Sequence, residues 1–370
     1  MRILATEENL LKPLGGGEIS FKTLLGFLKE RNEVLAVAKQ VKDPSLHPSF
    51  ISGINLFEIP RTHMFSKYFV FKQLEFAIKR VIKKFSPNLV ITQQDFAAST
   101  LKSAYKAGVP SVFFMRNYEH LCLCSNPEAE CNRECAECYG YHFLNPYRYF
   151  VDAVFRYERK WISKASIVVS NGYYMSKIVK EWYNIDSPVI YPFVHALKIK
   201  NWHPEYITFI NPSKHKGLYI FLEIAERLPG KRFLVVGYNT EAINFSKYEN
   251  IKYVPWVEDL SNIYSQTRLL LSPSIWPEPF GRVCVEAGFN GIPSVASNTG
   301  GLPEVVGDGG ILIDMYKDLE EWVEAITMLD DDKVYEDYSE RAKIYSKKFE
   351  IKKTVQEFKE LLEHELDLRV

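Results

Sequence analysis

The sequence lacks both a long hydrophobic run and an excess of charge of either sign. No apolar stretch approaches the roughly 18 residues that a helix needs to cross a bilayer, and the first five residues are typical of a strand rather than a secretory signal. The 46 basic and 46 acidic residues cancel, so the basic surplus of many nucleic-acid-binding proteins is missing. We therefore expect a cytoplasmic protein without a nucleic-acid partner.

Cysteine is nearly absent outside one segment. Five of the six cysteines fall within seventeen residues, with the spacing Cys-x-Cys-x6-Cys-x3-Cys-x2-Cys: Cys122, Cys124, Cys131, Cys135 and Cys138. Four thiolates can bind zinc tetrahedrally, and the polar residues between them have little core of their own, so we predict a structural zinc knuckle over 122–138. Disulfides are the main alternative, followed by free thiols or an iron–sulfur cluster.

Two sets of short apolar runs alternate with longer amphipathic stretches, which predicts two doubly wound α/β domains in a chain of 370 residues. The first set comprises Arg2–Ala5, Glu33–Ala38, Leu89–Thr92, Ser111–Phe114 and Ile167–Ser170. The second comprises Tyr206–Ile210, Arg232–Val236, Ile251–Val254, Leu269–Ser272, Pro293–Ala296 and Gly310–Ile313. A polar stretch over 195–204 separates the two sets, so we expect a ligand cleft between the domains there.

The segment from Trp276 to Gly288 carries the most chemistry. Glu278 precedes a glycine turn, and a helix is predicted from Phe280 onward with Glu286 inside it. The first N–H groups of such a helix favour a phosphate, which points to Phe280, Gly281, Arg282 and Val283. A carboxylate among apolar neighbours needs donors, and sugar hydroxyls would supply them to Glu286. Alternatively, Arg282 and Glu286 form an ordinary helical ion pair and Glu278 complements the helix dipole.

Two glutamates separated by seven residues in a Glu-Pro-Phe-Gly setting resemble the signature of the family 4 retaining glycosyltransferases, which have the GT-B architecture. The resemblance continues through 291–306 and 308–313. It implies two Rossmann-like domains that face a cleft, an acceptor-side domain over 1–198 and a nucleotide-sugar domain over 199–348. A C-terminal helix over 349–370 would cross back to the first domain.

The resemblance also implies roles for residues of the second domain. Glu286 would hold the ribose hydroxyls, while Glu278 and the N–H groups after it would address the donor sugar and the diphosphate. Lys216 is implied as the diphosphate cation. Asn211-Pro212 stands where the family has Gly-Arg, so one phosphate contact is in doubt, with Ser213 or Lys214 as substitutes. The nucleobase would lie beside two residues, Trp256 and Val257; a core tryptophan is the alternative.

In the first domain, a glycine turn and an unusual motif are the candidates. Glycines after the first strand can bring backbone N–H groups to the donor: Gly15, Gly16 and Gly17. Glu18 beside them could contact a ligand or simply charge the first helical turn. Arg116 replaces the family's histidine and can donate hydrogen bonds but cannot act as a neutral base. His120 is the nearest titratable alternative, so the predicted catalytic set is Glu278, Arg116 and His120.

The resemblance implies transfer of a sugar, with retention and without a catalytic metal or other catalytic cofactor, from a UDP- or GDP-sugar to a carbohydrate or lipid-linked acceptor. The basic amphipathic stretch over 68–87 suggests peripheral contact with the inner face of a membrane, although a packed helix with a solvated lysine face is the preferred interpretation. A nucleotide-sugar epimerase of the same fold is one alternative function. A non-catalytic nucleotide-sugar-binding or scaffold protein is the other.

Overall fold

The structure is a computed structural model that describes residues 1–11, 15–39, 55–59, 67–121, 147–197, 199, 201–314 and 318–370. The chain divides into two compact units, one formed by Met1–Phe193 with Lys352–Val370 and the other by Val194–Ile351. Five cysteines lie outside the described residues, so the zinc knuckle stays a prediction: Cys122, Cys124, Cys131, Cys135 and Cys138. The sixth, Cys284, is a buried free thiol.

The first unit is built on six parallel strands. Its strands are β1 (Arg2–Thr6), β2 (Glu33–Lys39), β3 (Asn55–Ile59), β4 (Leu89–Gln93), β5 (Ser111–Met115) and β6 (Ile167–Ser170). Its helices are α1 (Gly16–Leu28), α2 (Lys67–Phe85), α3 (Ala97–Ala107), α4 (Tyr147–Ile162) and α5 (Tyr173–Tyr183). The strands run in the order β3-β2-β1-β4-β5-β6. The edge strand β3 has no counterpart among the predicted strands.

The second unit repeats this plan with six more parallel strands. They are β7 (Tyr206–Ile210), β8 (Phe233–Val236), β9 (Ile251–Val254), β10 (Thr267–Ser272), β11 (Ser294–Ser297) and β12 (Gly310–Ile313). The helices are α6 (Leu218–Arg227), α7 (Ser261–Tyr264), α8 (Arg282–Phe289), α9 (Leu302–Val306), α10 (Leu319–Met328) and α11 (Asp332–Ser346). The order β12-β11-β10-β7-β8-β9 confirms the predicted doubly wound α/β architecture.

Each sheet is apolar on both faces because helices cover both, as parallel sheets require. In the second unit, Phe209 on β7 stacks on Phe221 of α6 with ring centroids 4.9 Å apart, and Phe233 on β8 meets Phe221 edge to face at 5.5 Å. All three rings are at most 2% exposed. Burying one such ring contributes about 1.5–3 kcal/mol, so this trio anchors α6 on the sheet.

The last helix, α12 (Ile351–Leu366), supplies a side chain to the core of the first unit. Phe358 is fully buried, and its ring centroid lies 5.4 Å from that of Phe114 on β5 and 6.2 Å from that of Phe193. The first unit is therefore assembled from two separate parts of the chain.

Helix α2 corresponds to the basic amphipathic stretch of the sequence. Leu74, Ile78 and Ile82 are buried on one face, whereas the basic residues are exposed: Lys72, Lys79, Arg80, Lys83 and Lys84. This burial pattern agrees with a packed helix. Across the described part of the chain, every helix is too short or too polar to traverse a bilayer.

Candidate functional site

The carboxyl ends of β7 and β10 mark the place where the strand order of the second sheet reverses. In open α/β sheets, ligands bind in the crevice outside such a switch point. The loops that follow these two strands are 211–217 and 273–281, and they contain more than half of the residues that the sequence motifs single out in the second unit.

These two loops are held against each other by backbone contacts. The carbonyl oxygen of His215 accepts N–H hydrogen bonds from Ile275 at 3.1 Å and from Trp276 at 3.4 Å. Gly217 has a φ of +82°, and a Cβ there would lie 1.8 Å from the carbonyl oxygen of Pro273. Only glycine fits this approach, because a side chain would collide with backbone that cannot move away.

Glu278 and Lys216 meet across the two loops. Lys216 Nζ lies 2.6 Å from Glu278 Oε2, and the hydroxyl of Ser274 donates to Glu278 Oε1. Glu278 is 4% exposed, whereas about a quarter of the Lys216 side chain is accessible. The carboxylate is thus fixed by a cation on one oxygen and a hydroxyl on the other, as a buried charge requires. Sequence reasoning missed Ser274, whose neighbours give no signal for this role.

The backbone on the other side of Glu278 is equally close. A Cβ at Gly300 would lie 2.5 Å from the backbone N and O of Glu278, and Gly300 has a φ of +59°. The N–H of Gly301 donates to the Glu278 carbonyl at 2.6 Å. The Gly-Gly pair therefore lets the loop after β11 close over Glu278.

Helix α8 begins at Arg282, so the prediction of a helix from Phe280 was wrong by two residues. The physical reason is Gly281, which is the residue before the helix and has a φ of +99°, outside the right-handed helical region. Phe280 and Gly281 belong to the turn that leads into the helix, whereas Arg282 and Val283 occupy its first turn. The positive end of the helix dipole still lies at this turn.

Glu286 is 4% exposed and receives hydrogen bonds from two protein donors. Arg282 Nε lies 2.6 Å from Glu286 Oε1, and the hydroxyl of Tyr264 lies 2.9 Å from Oε2. The ion pair that was an alternative interpretation is therefore present. A carboxylate has about four lone-pair directions, so Glu286 retains capacity for two ligand hydroxyls.

Tyr264 was not found from the sequence because it lies 22 residues before Glu286 and reads as an ordinary apolar position. Burial, followed by the charge of the Glu286 carboxylate, raises the pKa of Tyr264 well above its ordinary value. The phenol therefore stays protonated and acts as a donor at physiological pH.

His195, at the start of the second unit, was also missed. Partial desolvation, followed by the positive charge of Arg282, lowers the pKa of His195, which favours its neutral ring at pH 7.

An aromatic pair follows the next two strands. Tyr238 comes just after β8 and Trp256 just after β9, and their rings are parallel within 7° with centroids 5.8 Å apart. Tyr238 is 55% exposed and Trp256 is half-buried, so Trp256 is not a core tryptophan. Val257 packs on the cluster of Leu234 and Val236.

The loop after β7 accommodates the departure from the family pattern. Asn211 has a φ of +61°, a left-handed conformation that glycine adopts freely and that asparagine tolerates better than most other residues. Its N–H donates to Val236 at 2.7 Å. Ser213 is half-buried and its hydroxyl oxygen accepts from the backbone N–H of Lys216 at 3.4 Å, while Lys214 is exposed. Both substitutes therefore lie in the same loop as Lys216.

In the first unit, the glycine turn leads into α1. Gly15 is the residue before the helix, and Gly16 and Gly17 occupy its first turn. The carboxylate of Glu18 folds back over Gly15, where a Cβ would lie 2.6 Å from Oε2, and Oε1 accepts from Gln94 at 2.9 Å. Glu18 thus places a negative charge at the first turn of α1, and its contacts are with residues of the same unit.

Arg116 follows β5 and is 8% exposed. Its guanidinium carbon lies 4.5 Å from the Phe114 ring centroid, and its Nε lies 3.4 Å from Gln93 Oε1. Gln93 in turn donates to the carbonyl of Gly17 at 3.4 Å, which links Arg116 to the glycine turn. The guanidinium plane is therefore held in one orientation by stacking and by one amide.

His120 is buried, with both ring nitrogens engaged inside the first unit. Nδ1 lies 3.5 Å from Glu158 Oε2 and Nε2 lies 3.1 Å from the Gln94 carbonyl. Burial lowers the pKa of His120, but the carboxylates of Glu158, Glu119 and Asp95 together raise it by more, so the net shift is upward.

Glu7, at the end of β1, is fully buried and was not singled out by the sequence. Burial raises the pKa of Glu7 well above its ordinary value. Hydrogen bonds from Asn9 and Gln93 lower this pKa in part, whereas the negative charges of Glu18 and Glu119 raise it further.

Comparison with known proteins gives a family for the second unit and a fold for the whole chain. Residues 199–348 match the family described as glycosyl transferases group 1. The D-inositol 3-phosphate glycosyltransferase of Mycobacteroides abscessus is 32% identical over 133 residues, which cover 32% of this chain and 29% of that protein. The matched part is thus less than a third of that relative's length.

Two solved structures cover almost the whole chain. Anabaena Alr3699/HepE in complex with UDP-glucose has a TM-score of 0.74 and 17% identity, and the match covers 98% of this chain and 100% of that one. WaaG, a glycosyltransferase involved in lipopolysaccharide biosynthesis, has a TM-score of 0.66 and 15% identity, with 97% and 98% covered. These likenesses establish the GT-B fold.

Proposed function

Because the chain belongs to the group 1 glycosyltransferases and has the GT-B fold, we propose that it transfers a sugar from a nucleoside-diphosphate sugar to an acceptor hydroxyl. The observation that carries the proposal is the pair of buried glutamates at the switch point of the second sheet. Glu278 is fixed by Lys216 and Ser274, and Glu286 by Arg282 and Tyr264.

The diphosphate of the donor would lie between Lys216 and the start of α8. Negative charge grows on the diphosphate as its bond to the anomeric carbon breaks, and fixed positive groups stabilise that charge most when they need no rearrangement. Lys216 supplies a cation, and the first turn of α8 supplies N–H groups and the helix dipole. We propose that these groups take the part that a divalent ion has in other transferases.

Retention follows if the acceptor attacks from the face that the diphosphate leaves. The acceptor oxygen forms the new bond to the anomeric carbon, the bond to the diphosphate oxygen breaks, and the acceptor proton passes to the departing phosphate. The buried Glu278 carboxylate would hold a hydroxyl of the donor sugar during this step, and the two remaining lone-pair directions of Glu286 would accept from the ribose hydroxyls.

On the acceptor side, we favour Arg116 over His120 for contact with the reacting sugar. Both ring nitrogens of His120 already contact the first unit, whereas the Arg116 guanidinium has five N–H donors and is oriented by Phe114 and Gln93. His120 would then position the segment after β5 through Glu158 and Gln94.

The donor is proposed to be a UDP- or GDP-sugar. A solved relative binds UDP-glucose, which makes uridine nucleotides the first to test. The parallel rings of Tyr238 and Trp256 offer a flat apolar surface at the same sheet edge, which suits a nucleobase.

The acceptor is proposed to be a carbohydrate or a lipid-linked sugar. Phe76 on α2 is 64% exposed among basic residues, which would favour peripheral contact with an anionic membrane surface. Sedimentation with vesicles that contain or lack anionic lipid tests this contact, and Phe76→Ser is expected to weaken it. Equal sedimentation with neutral vesicles would contradict the proposal.

The test of the main proposal is donor turnover. Purified protein is offered UDP-, GDP- and ADP-sugars without acceptor and in the presence of EDTA, and release of nucleoside diphosphate and free sugar is followed. We expect slow, EDTA-resistant hydrolysis of one donor, lost in Glu278→Gln and kept in Glu223→Gln, which alters an exposed carboxylate on α6.

Other outcomes separate the alternatives. A donor whose sugar changes without transfer would indicate the epimerase, and nucleotide binding without turnover even with candidate acceptors would indicate a scaffold. Absence of nucleotide binding across the panel would overturn the proposal.

A further inference from the structure

The phenol of Tyr264 has two acceptors within reach but a single proton to donate. Its oxygen lies 2.9 Å from Glu286 Oε2 and 3.4 Å from the Val283 carbonyl. The carboxylate is both nearer and charged, so it takes the hydrogen bond. Tyr264 is fully buried, and the N–H of Tyr264 donates to the Leu260 carbonyl at 2.9 Å, which anchors the ring at the end of α7.

The two donors on Glu286 differ in what they allow. Arg282 lies in the same helix and approaches one carboxylate oxygen, Oε1, at 2.6 Å. A guanidinium that has a carboxylate to itself tends to take both oxygens side by side. The Tyr264 hydroxyl holds the second oxygen, Oε2, and so opposes rotation of the carboxylate toward Arg282.

We propose that Tyr264 is a positioning residue for nucleotide recognition: it holds the Glu286 carboxylate so that its remaining lone pairs face the ribose hydroxyls. The inference rests on the proposed function, in which Glu286 receives those hydroxyls. Tyr264 itself contacts no ligand, and its effect passes entirely through Glu286. Its removal should therefore affect ligands with ribose hydroxyls and spare ligands that lack them.

The experiment compares a nucleoside diphosphate with its 2′,3′-dideoxy analogue by titration calorimetry, using the base identified by donor turnover. In the wild-type protein we expect the ribonucleotide to bind more tightly. Tyr264→Phe should weaken the ribonucleotide about tenfold, as expected for loss of a hydrogen bond to a charged group. The dissociation constant of the dideoxy analogue should stay unchanged.

Tyr335→Phe is the matched control, because Tyr335 lies in the same unit and its hydroxyl donates to the Arg268 carbonyl at the same distance of 2.9 Å. It should leave both dissociation constants unchanged. If Tyr264→Phe weakens both ligands equally, or neither, Tyr264 is a structural residue and the inference is wrong.

Two further results separate the inference from the proposal beneath it. A wild-type protein that binds no nucleotide refutes the proposed function, whereas one that binds both ligands equally refutes only the ribose role. If Tyr264→Phe does not fold, the comparison is made in the Glu286→Gln background, which removes the buried charge. There, adding Tyr264→Phe should leave both constants unchanged, and a further loss would overturn the inference.

Discussion

The two units have the same sheet architecture but different chemistry at the carboxyl ends of their strands. In the second unit, each buried glutamate of the site has a cation beside it, Lys216 for Glu278 and Arg282 for Glu286. In the first unit, Glu7 is buried with a raised pKa, and Glu18 lies over the start of α1. The same sheet architecture therefore carries differently paired charges at its strand ends, and a shared fold does not imply a shared binding chemistry.

The largest expected effect concerns the cation of the second unit. Lys216→Ala removes the group nearest the proposed diphosphate and leaves Glu278 without its ion pair. We expect donor turnover to fall about 10²–10³-fold, the range found when one preorganised transition-state donor is removed. Steady-state release of nucleoside diphosphate measures it, with Lys247→Ala, which alters an exposed lysine of the same unit, as control. Equal losses in the two variants would show that the general charge of the unit, rather than the Lys216 contact, matters.

The next effect concerns the backbone contact that closes over Glu278. Gly300→Ala places a Cβ 2.5 Å from backbone atoms of Glu278 at a φ of +59°, and we expect a loss of about 3 kcal/mol in the stability of the second unit. Gly108 in the first unit has a similar φ of +67° but open space around it, so Gly108→Ala should cost only about 1 kcal/mol. Denaturant unfolding compares them, and equal losses would refute the steric argument.

A smaller effect is expected for the cation of the first unit. Arg116→Lys keeps the charge but loses the planar stacking on Phe114 and the fixed Nε contact with Gln93. We expect the rate of transfer to an acceptor to fall about tenfold, which is the effect expected when one hydrogen bond to the reacting sugar is misplaced. The affinity for nucleoside diphosphate, a property of the second unit, should not change. A weaker nucleotide affinity would assign Arg116 to donor binding instead.

The smallest effect tests the buried acid of the first unit. Because the folded protein raises the pKa of Glu7, it binds this proton more tightly than the unfolded chain. Wild-type stability therefore falls as the pH rises from the unfolded pKa through the folded one. Glu7→Gln cannot ionise and should gain about 1 kcal/mol over wild type between pH 5 and pH 8.

Melting temperatures across that pH range check the expectation, with the exposed Glu33→Gln in the same unit as control. A Glu7→Gln advantage that shrinks as the pH rises would contradict the raised pKa of Glu7 and mean that this carboxyl is ionised in the folded protein.

The strands were predictable because a buried parallel strand is a continuous apolar run, and such a run can be recognised from a few consecutive residues. The edge strand β3 (Asn55–Ile59) escaped prediction because an edge strand is buried less and its pattern is weaker. The start of α8 was misplaced by two residues because Gly281 adopts a positive φ that composition alone does not reveal. Boundaries depend on such single conformations, whereas the presence of an element depends on many residues.

The residues of the candidate site also fall into two groups, those that the sequence predicts and those that it does not. The two glutamates, Lys216 and the glycines stand out because their spacing is short and unusual. Tyr264 and Ser274 do not, because their roles arise from side chains that meet only after the sheet has formed. Glu7 was missed because nothing in its sequence context indicates how deeply the end of β1 is buried.

Phe358, the aromatic residue of α12 that packs against Phe114 and Phe193, has a consequence for the order in which the protein matures. A ribosome synthesises all of the second unit before it reaches Lys352, so the second unit can fold while the first still lacks its last helix. Until Phe358 has been synthesised, the apolar surface that it will cover on the first unit stays open to chaperones and proteases. The unit whose strands are made first is thus the last to be completed.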